Sequence, residues 1–319
     1  MAKKFKFGFD VSDLADYTDQ EKTELLLRSF YESKTFSTSR SMGADLEVGI
    51  KSSKQIQKFA VTAVPQTNNG CGFNASGDAP FTKVVITPGK IKYQDVLCPK
   101  TLEAKWTQKL LTQGQNNDDK KLTFMATIEE ALKALIAEHN ETADWQGDTA
   151  SGNAYINKYN GLIKFLGTAA VSVAGNTAAL TSLTASNSFA AAIAMVDALP
   201  AKLKGKPNLV LYVGTDTYDK IVTNLFNLNN FHFTQDTAGY EMTLPVKGVK
   251  VVGVHGLDGT NRMFLMQASN ITWGTDMEGE EDEFNYWYSM DDDNIKYSVK
   301  FSRGVVVAYP DEVVQFTLS

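Results

Sequence analysis

The segment that decides the interpretation of the fold is Gln66-Thr67-Asn68-Asn69-Gly70-Cys71-Gly72-Phe73-Asn74-Ala75-Ser76-Gly77-Asp78. It lies between two stretches of strand-like composition, Gln55–Val64 and Lys83–Leu97, so residues 46–98 are predicted to form a long hairpin arm. A two-stranded hairpin alone is marginally stable in water, and this arm is too polar to bury itself in its own domain. The pattern therefore predicts a subunit of an assembly, in which another chain covers the arm.

The overall composition limits what else the chain can be. It has 319 residues, 43% of them hydrophobic, which suits one large domain or two closely connected ones. No apolar run reaches membrane-spanning length and no apolar signal segment follows the basic start, so neither insertion nor secretion is expected. Cys71 and Cys98 are expected to be reduced thiols in a cytoplasmic setting. The net charge of −6 argues against general nucleic-acid binding.

The charge is unevenly distributed along the chain. Residues 46–113 carry nine lysines and four acids, a net of +5, whereas residues 241–319 carry six basic and thirteen acidic residues, a net of −7. One end of the chain could therefore attract the other end of a neighbouring copy. The alternative is two separately solvated surfaces. On the first interpretation, the candidate intersubunit residues are Lys51, Lys54 and Lys58 on the arm, Cys71 at its tip, and Glu280, Glu281 and Asp282.

Helical periodicity appears at several places. The clearest helix is predicted to begin at Thr127, where Thr127 and Glu130 have the spacing of a capping box. A second helix is predicted from about Ser186 to Leu199, and a third follows the buried strand Leu209–Val213 with Asp216 as its N-cap. Residues 1–45 read as a polar arm, whose Ser- and Thr-rich stretch from Ser37 to Ser41 has nothing to bury.

The last third of the sequence is rich in strand-forming residues. The predicted strands are Val249–Val254, Met263–Met266, Phe284–Ser289, Ile295–Phe301, Val305–Tyr309 and Val313–Leu318. Because helices are mixed with largely antiparallel strands, the predicted class is α+β.

No catalytic residue and no cofactor site is predicted. The histidines at 139, 232 and 255 have no second ligand at metal-site spacing, and Val213-Gly214-Thr215-Asp216 lacks the remaining residues of a phosphate-binding loop. The acidic strip from Asp276 to Asp293 could bind a hard cation or supply paired carboxylates for sugar chemistry. It lacks the spacing of a calcium-binding loop, and a solvated loop that meets a basic neighbour is the preferred interpretation.

Two segments carry a resemblance to a known family. Trp145-Gln146-Gly147-Asp148 followed by Tyr159-Asn160-Gly161-Leu162 resembles a post-helix loop of phage capsid proteins. The ending from Lys300 to Val314 resembles the closing strands of the same family, in which an Arg-x-Gly turn precedes a strand and a proline. With the order of elements, this is similar to the major capsid protein of tailed double-stranded DNA bacteriophages, the Hong Kong 97-like fold.

The resemblance implies a division of the chain into named parts. These would be an N-terminal arm (1–45), an extended hairpin loop (46–100), a peripheral domain with a spine helix at about Thr127–Asn140 (101–167), an axial domain (168–260) and the peripheral β-strands (261–319).

The resemblance also implies a structural role in the virion. The chain would form hexamers and pentamers of an icosahedral shell, assembled in the host cytoplasm, that encloses double-stranded DNA without reading its sequence. Separate scaffolding, portal and decoration proteins would be its partners, with no membrane involved. Two other classes stay open: a non-viral compartment shell of the same fold, and an acidic sugar-active enzyme.

Overall fold

The computed structural model describes most of the chain beyond residue 33. The described residues are 34–59, 61–67, 76–78, 80–97, 119–168, 172–228, 239–245, 247–276, 285–289, 291–292 and 294–319. The predicted tip of the arm, the predicted loop around Asp282 and the N-terminal 33 residues lie outside them.

Five α-helices are present in the described residues. They are α1 (Lys34–Ser41), α2 (Asp119–Gln146), α3 (Leu162–Thr168), α4 (Ser188–Asp197) and α5 (Thr215–Asn227). Single turns of 3-10 helix occur at His255–Leu257, Ala268–Asn270 and Pro310–Glu312.

A six-stranded mixed sheet forms one half of the structure. Its strands, in spatial order, are β7 (Val173–Ala174), β15 (Val314–Phe316), β11 (Met263–Gln267), β8 (Leu209–Gly214), β10 (Lys250–Val254) and β9 (Glu241–Thr243). The predicted central strand is confirmed as β8, which is buried on both faces because every residue from Val210 to Gly214 is apolar or small. Leu211 and Val213 face α4 and α5, whereas Val210 and Tyr212 face the core under α2.

A five-stranded sheet forms the other half. The order is β1 (Asp45–Glu47), β12 (Ile271–Gly274), β14 (Asn294–Val307) and β13 (Asn285–Ser289), and β6 (Gly89–Leu97) also pairs with β14. The end of α2 packs against the 3-10 turn at residues 255–257, where Gln146 Nε2 donates to the Gly256 carbonyl at 2.8 Å. A side chain at Gly256 would lie 2.4 Å from the Trp145 ring, so this contact requires glycine.

The hairpin arm is built from two short pairs of antiparallel strands. Near the domain β2 (Lys54–Phe59) pairs with β5 (Phe81–Ile86), and further out β3 (Thr62–Ala63) pairs with β4 (Gly77–Asp78). The prediction of a single return strand over Lys83–Leu97 is wrong. The strand is interrupted at Thr87-Pro88, and the residues that follow form β6, which pairs with β14 outside the arm. Proline cannot donate to a ladder, which explains why the strand divides there.

The stretch from Ser37 to Ser41 is helical, and Thr38 and Ser39 within it are buried, in contrast to the prediction of an arm with nothing to bury. Within α1, Thr35, Phe36, Thr38 and Ser39 are buried. The hydroxyls of Ser37, Ser39 and Ser41 donate to carbonyls three residues earlier, at 3.1, 3.0 and 2.8 Å. Because each hydroxyl has a local acceptor, this polar helix can be buried without stranded donors.

Two predicted helix starts need correction. The long helix begins at Asp119 rather than Thr127, so Thr127 lies inside α2 and is not a cap. The third helix has Gly214 at its N-cap, with Asp216 in its first turn. Asp258 supplies the cap from another part of the chain, because its Oδ1 accepts from the Thr215 backbone N–H at 2.6 Å and from its hydroxyl at 2.8 Å.

The predicted C-terminal strands agree with the structure with two exceptions: β12 (Ile271–Gly274) was not predicted, and two predicted strands are merged into one. The predicted strands Ile295–Phe301 and Val305–Tyr309 form the single strand β14, and Arg303-Gly304 lies within it rather than in a turn. β11 and β15, which come from residues 261–319, pair within the six-stranded sheet, so that sheet extends beyond residues 168–260. The division into peripheral and axial domains stays a prediction.

Candidate assembly interface

The two strands at the base of the arm present two different faces. Side chains alternate along a strand, so the register of β2 with β5 places Ile56, Lys58, Val84 and Ile86 on one side. This inner face packs on the chain's own domain, where Ile56 and Val84 contact the buried cluster of Ile50, Ile86 and Val306. The expectation that the arm cannot bury itself in its own domain is therefore wrong for its base.

The opposite, outer face carries the apolar residues that the domain does not cover. It consists of Gln55, Gln57, Phe59, Phe81, Lys83 and Val85. Phe81 is 74% exposed, Phe59 51% and Val85 45%, and the two phenylalanine rings lie against each other with centroids 4.7 Å apart. Val61 and Val64, further out, are also exposed. Apolar residues grouped at the surface in this way mark an interaction site.

The base of the arm is firmly held. The Ile50 N–H donates to the Thr275 carbonyl at 3.0 Å, and the Thr275 N–H donates to the Glu47 carbonyl at 2.9 Å. A side chain at Gly274 would meet the Cδ1 atoms of Ile86 at 2.6 Å and Ile50 at 3.0 Å, so glycine lets these two side chains pack closely on the strand. The outer face is therefore presented at a fixed position by a packed support.

The three arm lysines predicted to contact a neighbour have different surroundings. Lys54 forms an ion pair with Glu47 of its own chain. Lys58 is half-buried on the inner face, with its Nζ 5.1 Å from the centroid of the Tyr309 ring. Lys51 is exposed in a bend before β2. Lys54 and Lys58 therefore have partners within the chain, while Lys83 is the lysine on the outer face.

The remaining predicted contact residues, Cys71, Glu280, Glu281 and Asp282, lie outside the described residues. The sequence reasoning missed the phenylalanines of the outer face. The period-two alternation in Gln55-Ile56-Gln57-Lys58-Phe59 is the signal that separates the two faces, because it places Phe59 opposite to Ile56.

A buried ion pair joins α2 to β14, the strand that pairs with β6. Arg303, in β14, donates from Nε to Asp144 Oδ1 at 2.8 Å and from Nη2 to Asp144 Oδ2 at 2.7 Å, and both side chains are fully buried. The guanidinium also lies over the rings of Phe36 and Trp273, at 5.2 and 4.9 Å. Burial lowers the pKa of Arg303, but the Asp144 carboxylate outweighs this effect and the pKa ends above its usual range.

Helix α1 is attached to the same region by hydrogen bonds. The Trp145 indole donates to Thr35 Oγ1 at 2.7 Å, and the Thr35 N–H donates to Glu141 Oε2 at 3.0 Å. The Trp273 indole donates to Ser39 Oγ at 2.9 Å. The segment that follows the N-terminal 33 residues is thus fixed between α2 and the five-stranded sheet.

The two halves of the first resemblance segment, Trp145–Asp148 and Tyr159–Leu162, meet in space. The Gly161 N–H donates to the Gly147 carbonyl at 2.9 Å, and a side chain on either glycine would come within 2.8 Å of backbone atoms of the opposite segment. Next to this crossing, the Tyr159 hydroxyl donates to Asp144 Oδ1 at 2.7 Å. Burial, and then the charge of Asp144, raise the pKa of Tyr159 well above its usual value. The resemblance therefore falls on residues that hold the end of α2.

The histidines within the described residues have structural surroundings. His139, on α2, accepts or donates a hydrogen bond with the Tyr93 hydroxyl at 3.1 Å and stacks on that ring. His255 is exposed and pairs with Asp258, the residue that caps α5. His232 lies outside the described residues.

Metal sites and membrane-spanning helices are two further possibilities for the described residues. No group of three or more His, Cys, Asp or Glu side chains in this part of the chain is arranged to hold a metal ion. Of the acidic strip, Asp276, Asp291 and Asp292 are described. Asp292 pairs with Lys296, whose hydrogen bond lowers the pKa of the Asp292 carboxyl. None of the described helices combines the length and apolar character needed to cross a bilayer.

Several solved capsid structures have folds similar to this chain. No family model and no curated protein matches the sequence. A chain from the cyanophage A-1(L) capsid superposes with a TM-score of 0.58 at 14% identity, covering 88% of this chain and 92% of that one. A chain from the satellite phage P4 procapsid, which includes the size determination protein, gives 0.57 at 13%, covering 100% and 94%. The capsid of an empty GTA particle gives 0.55 at 12%, covering 88% and 89%.

These likenesses show the fold, which is the mixed helix and strand fold found in phage capsids. The similarity covers between 88% and 100% of this chain in these three cases. At such low sequence identity, the function must be argued from the residues of this chain.

Proposed function

We propose that this chain is the major capsid subunit of a tailed double-stranded DNA bacteriophage, with a Hong Kong 97-like fold. It assembles into hexamers and pentamers of an icosahedral shell, and the base of the arm acts as the extended loop that lies on the next subunit. In this arrangement α2 is the spine helix and the six-stranded sheet belongs to the axial domain. The chain acts as a structural protein of the virion rather than as an enzyme.

The observation that carries this proposal is the outer face of the arm. Phe59, Phe81 and Val85 project from a support that is itself fixed by Ile50, Ile86 and Val306. Fully covering a phenylalanine side chain contributes about 1.5–3 kcal/mol, and these two rings are already partly covered by each other. A second copy that covers them would gain several such contributions along the arm.

The proposal includes partners and a place of assembly. Separate scaffolding, portal and decoration proteins would act with the shell, which would form in the cytoplasm of the bacterial host and enclose double-stranded DNA. The sequence-based prediction that Glu280, Glu281 and Asp282 meet a basic surface of the next subunit belongs to the same proposal.

Electron microscopy of the purified product tests the proposal. We expect closed particles or ring-shaped capsomers, and we expect these large species to disappear when Phe59 and Phe81 are changed to serine. A wild-type product that stays dispersed under all conditions would contradict the proposal. A non-viral shell of the same fold would also form particles, and it would be recognised by a cargo protein that copurifies inside them.

A further inference from the structure

A basic cleft lies at one end of the interior strands β8 and β10 of the six-stranded sheet. Its volume is about 560 Å³, and it is formed where β8 and β10 begin, between the end of α4, the loop 198–208 and the turn before β10. Lys204, Lys206, Lys247 and Lys250 line it. Asp197 is the one acidic residue in the described lining.

The positive charge in this cleft is only partly neutralised. Lys247 pairs with Asp197, and Lys250 pairs with Glu241 at 2.7 Å. Lys204 donates to the backbone carbonyl of Asp197 at 3.1 Å, and its ammonium forms no ion pair with a carboxylate in the part of the chain that the structure describes. Lys206 forms no ion pair within the described residues and is exposed. A chain with a net charge of −6 therefore concentrates positive charge at one concave surface.

The lysines are presented by two anchored turns rather than by a free tail. In the first turn Leu203 is fully buried, and its N–H donates to the Pro200 carbonyl at 2.9 Å while the Lys206 N–H donates to the Leu203 carbonyl at 3.1 Å. In the second, the Gly248 N–H donates to the Leu244 carbonyl at 3.0 Å. Gly205 and Gly248 have φ values of +83° and +67°, which glycine adopts without strain.

We propose that this cleft binds the backbone phosphates of double-stranded nucleic acid, and so is a contact between the shell and the enclosed DNA. Lysine ammonium groups act as point charges that contact phosphates without reading bases. The lining contains neither arginine nor an aromatic residue, so it lacks the groups that most often pair with base edges or stack on bases. Binding at the cleft is therefore independent of sequence.

This inference rests on the proposed function, because a shell brings many copies of the cleft to one DNA molecule. A single cleft that neutralises two or three phosphates binds weakly at physiological salt. Repetition over the inner surface would make the sum of such contacts large, through effective concentration. The net negative charge of the chain is consistent with this arrangement, since each subunit needs only one local contact with the DNA.

A salt titration of DNA binding tests the inference. The probe is a labelled DNA duplex of about 30 base pairs, with binding to the purified full-length chain followed by fluorescence anisotropy over ~50–200 mM NaCl. The variant is Lys204→Glu with Lys206→Glu. The matched control is Lys92→Glu with Lys158→Glu, which makes the same change of charge at two exposed lysines outside the cleft.

We expect the slope of the logarithm of the DNA association constant against the logarithm of the NaCl concentration to fall in magnitude by about 2 in the cleft variant. The slope should stay unchanged in the control. Equal slopes in the two variants, or no binding by the wild-type chain, would overturn the inference. If a polyglutamate peptide displaces the labelled duplex as well as unlabelled duplex does, the inference is overturned in favour of an acidic protein segment. If pyrophosphate does so, it is overturned in favour of a small-anion site. Particle formation is scored separately, so particles with unaltered slopes would leave the proposed function standing.

Discussion

Replacing Asp144 with asparagine should destabilise the subunit severely. Asp144 and Arg303 are both fully buried, and the carboxylate accepts two hydrogen bonds from the guanidinium and one from the Tyr159 hydroxyl. Asparagine keeps the size of the side chain but removes its charge. Arginine stays protonated in proteins, so the variant must bury the Arg303 cation beside Phe36 and Trp273 without the Asp144 carboxylate.

Removing one partner of a buried pair costs about 3–5 kcal/mol. Whole domains are stable by only about 5–15 kcal/mol, so a large share of the stability would be lost. With a urea m value of about 2 kcal/mol/M, the unfolding midpoint should fall by roughly 1.5–2.5 M. Urea unfolding of the unassembled chain, followed by tryptophan fluorescence, measures this shift, since Trp145 and Trp273 lie in the affected region.

The matched control is Asp148→Asn, four residues further along the chain. Asp148 also pairs with a cation, Lys164 at 3.0 Å, but both side chains are partly exposed, so water can replace the lost partner. We therefore expect a much smaller change in the midpoint. Equal midpoints for the two variants would refute the reasoning, because burial of the pair would then have no energetic effect.

Three further predictions concern the arm, the tyrosines and the tip. Reversing Lys51, Lys54 and Lys58 to glutamate should weaken assembly at low salt, and reversing Glu280, Glu281 and Asp282 to lysine should partly restore it; equal particle yields in all four combinations would contradict this. Burial raises the pKa of Tyr93 to about 12, so its neutral form stabilises the folded state below pH 10 and this contribution is lost as the pH rises through 12. Between pH 10 and 12, the free energy of unfolding measured by urea titration should therefore fall less for the Tyr93→Phe variant than for the wild type. Thiol labelling of Cys71 should be fast in free subunits and slow in particles, since ordering the glycine-rich tip needs contacts with a neighbour; equal rates would count against an intersubunit tip.

Local patterns in the sequence predicted the elements whose causes are local. The strand at Leu209–Val213 is an unbroken apolar run, and the helix that follows it has its apolar residues on one side, so both were predictable. Phe226, in the last turn of α5, is 66% exposed. The cap of α5 was missed because Asp258 supplies it from 43 residues away.

The contacts that support the candidate interface could not be predicted, because they join residues that are distant in the sequence. Arg303 and Asp144 are 159 residues apart, and no periodicity in the sequence relates them. The burial of α1 depends on Trp145 and Trp273, which come from distant elements and supply donors to Thr35 and Ser39. By contrast, the alternation along Gln55–Phe59 is local, and it predicts the outer face once the strand is placed at the surface.

Sedimentation velocity of two exposed-residue variants tests the central claim, that a second copy covers the outer face of the arm. The variant is Phe59→Ser with Phe81→Ser, and the control is Tyr155→Ser, at a residue 66% exposed and outside the arm. We expect both to keep the thermal stability of the wild-type subunit, since the altered side chains are exposed. The arm variant should sediment as a 35.0 kDa species while the control and the wild type form large assemblies. Assemblies of equal size and yield from the arm variant would contradict the claim.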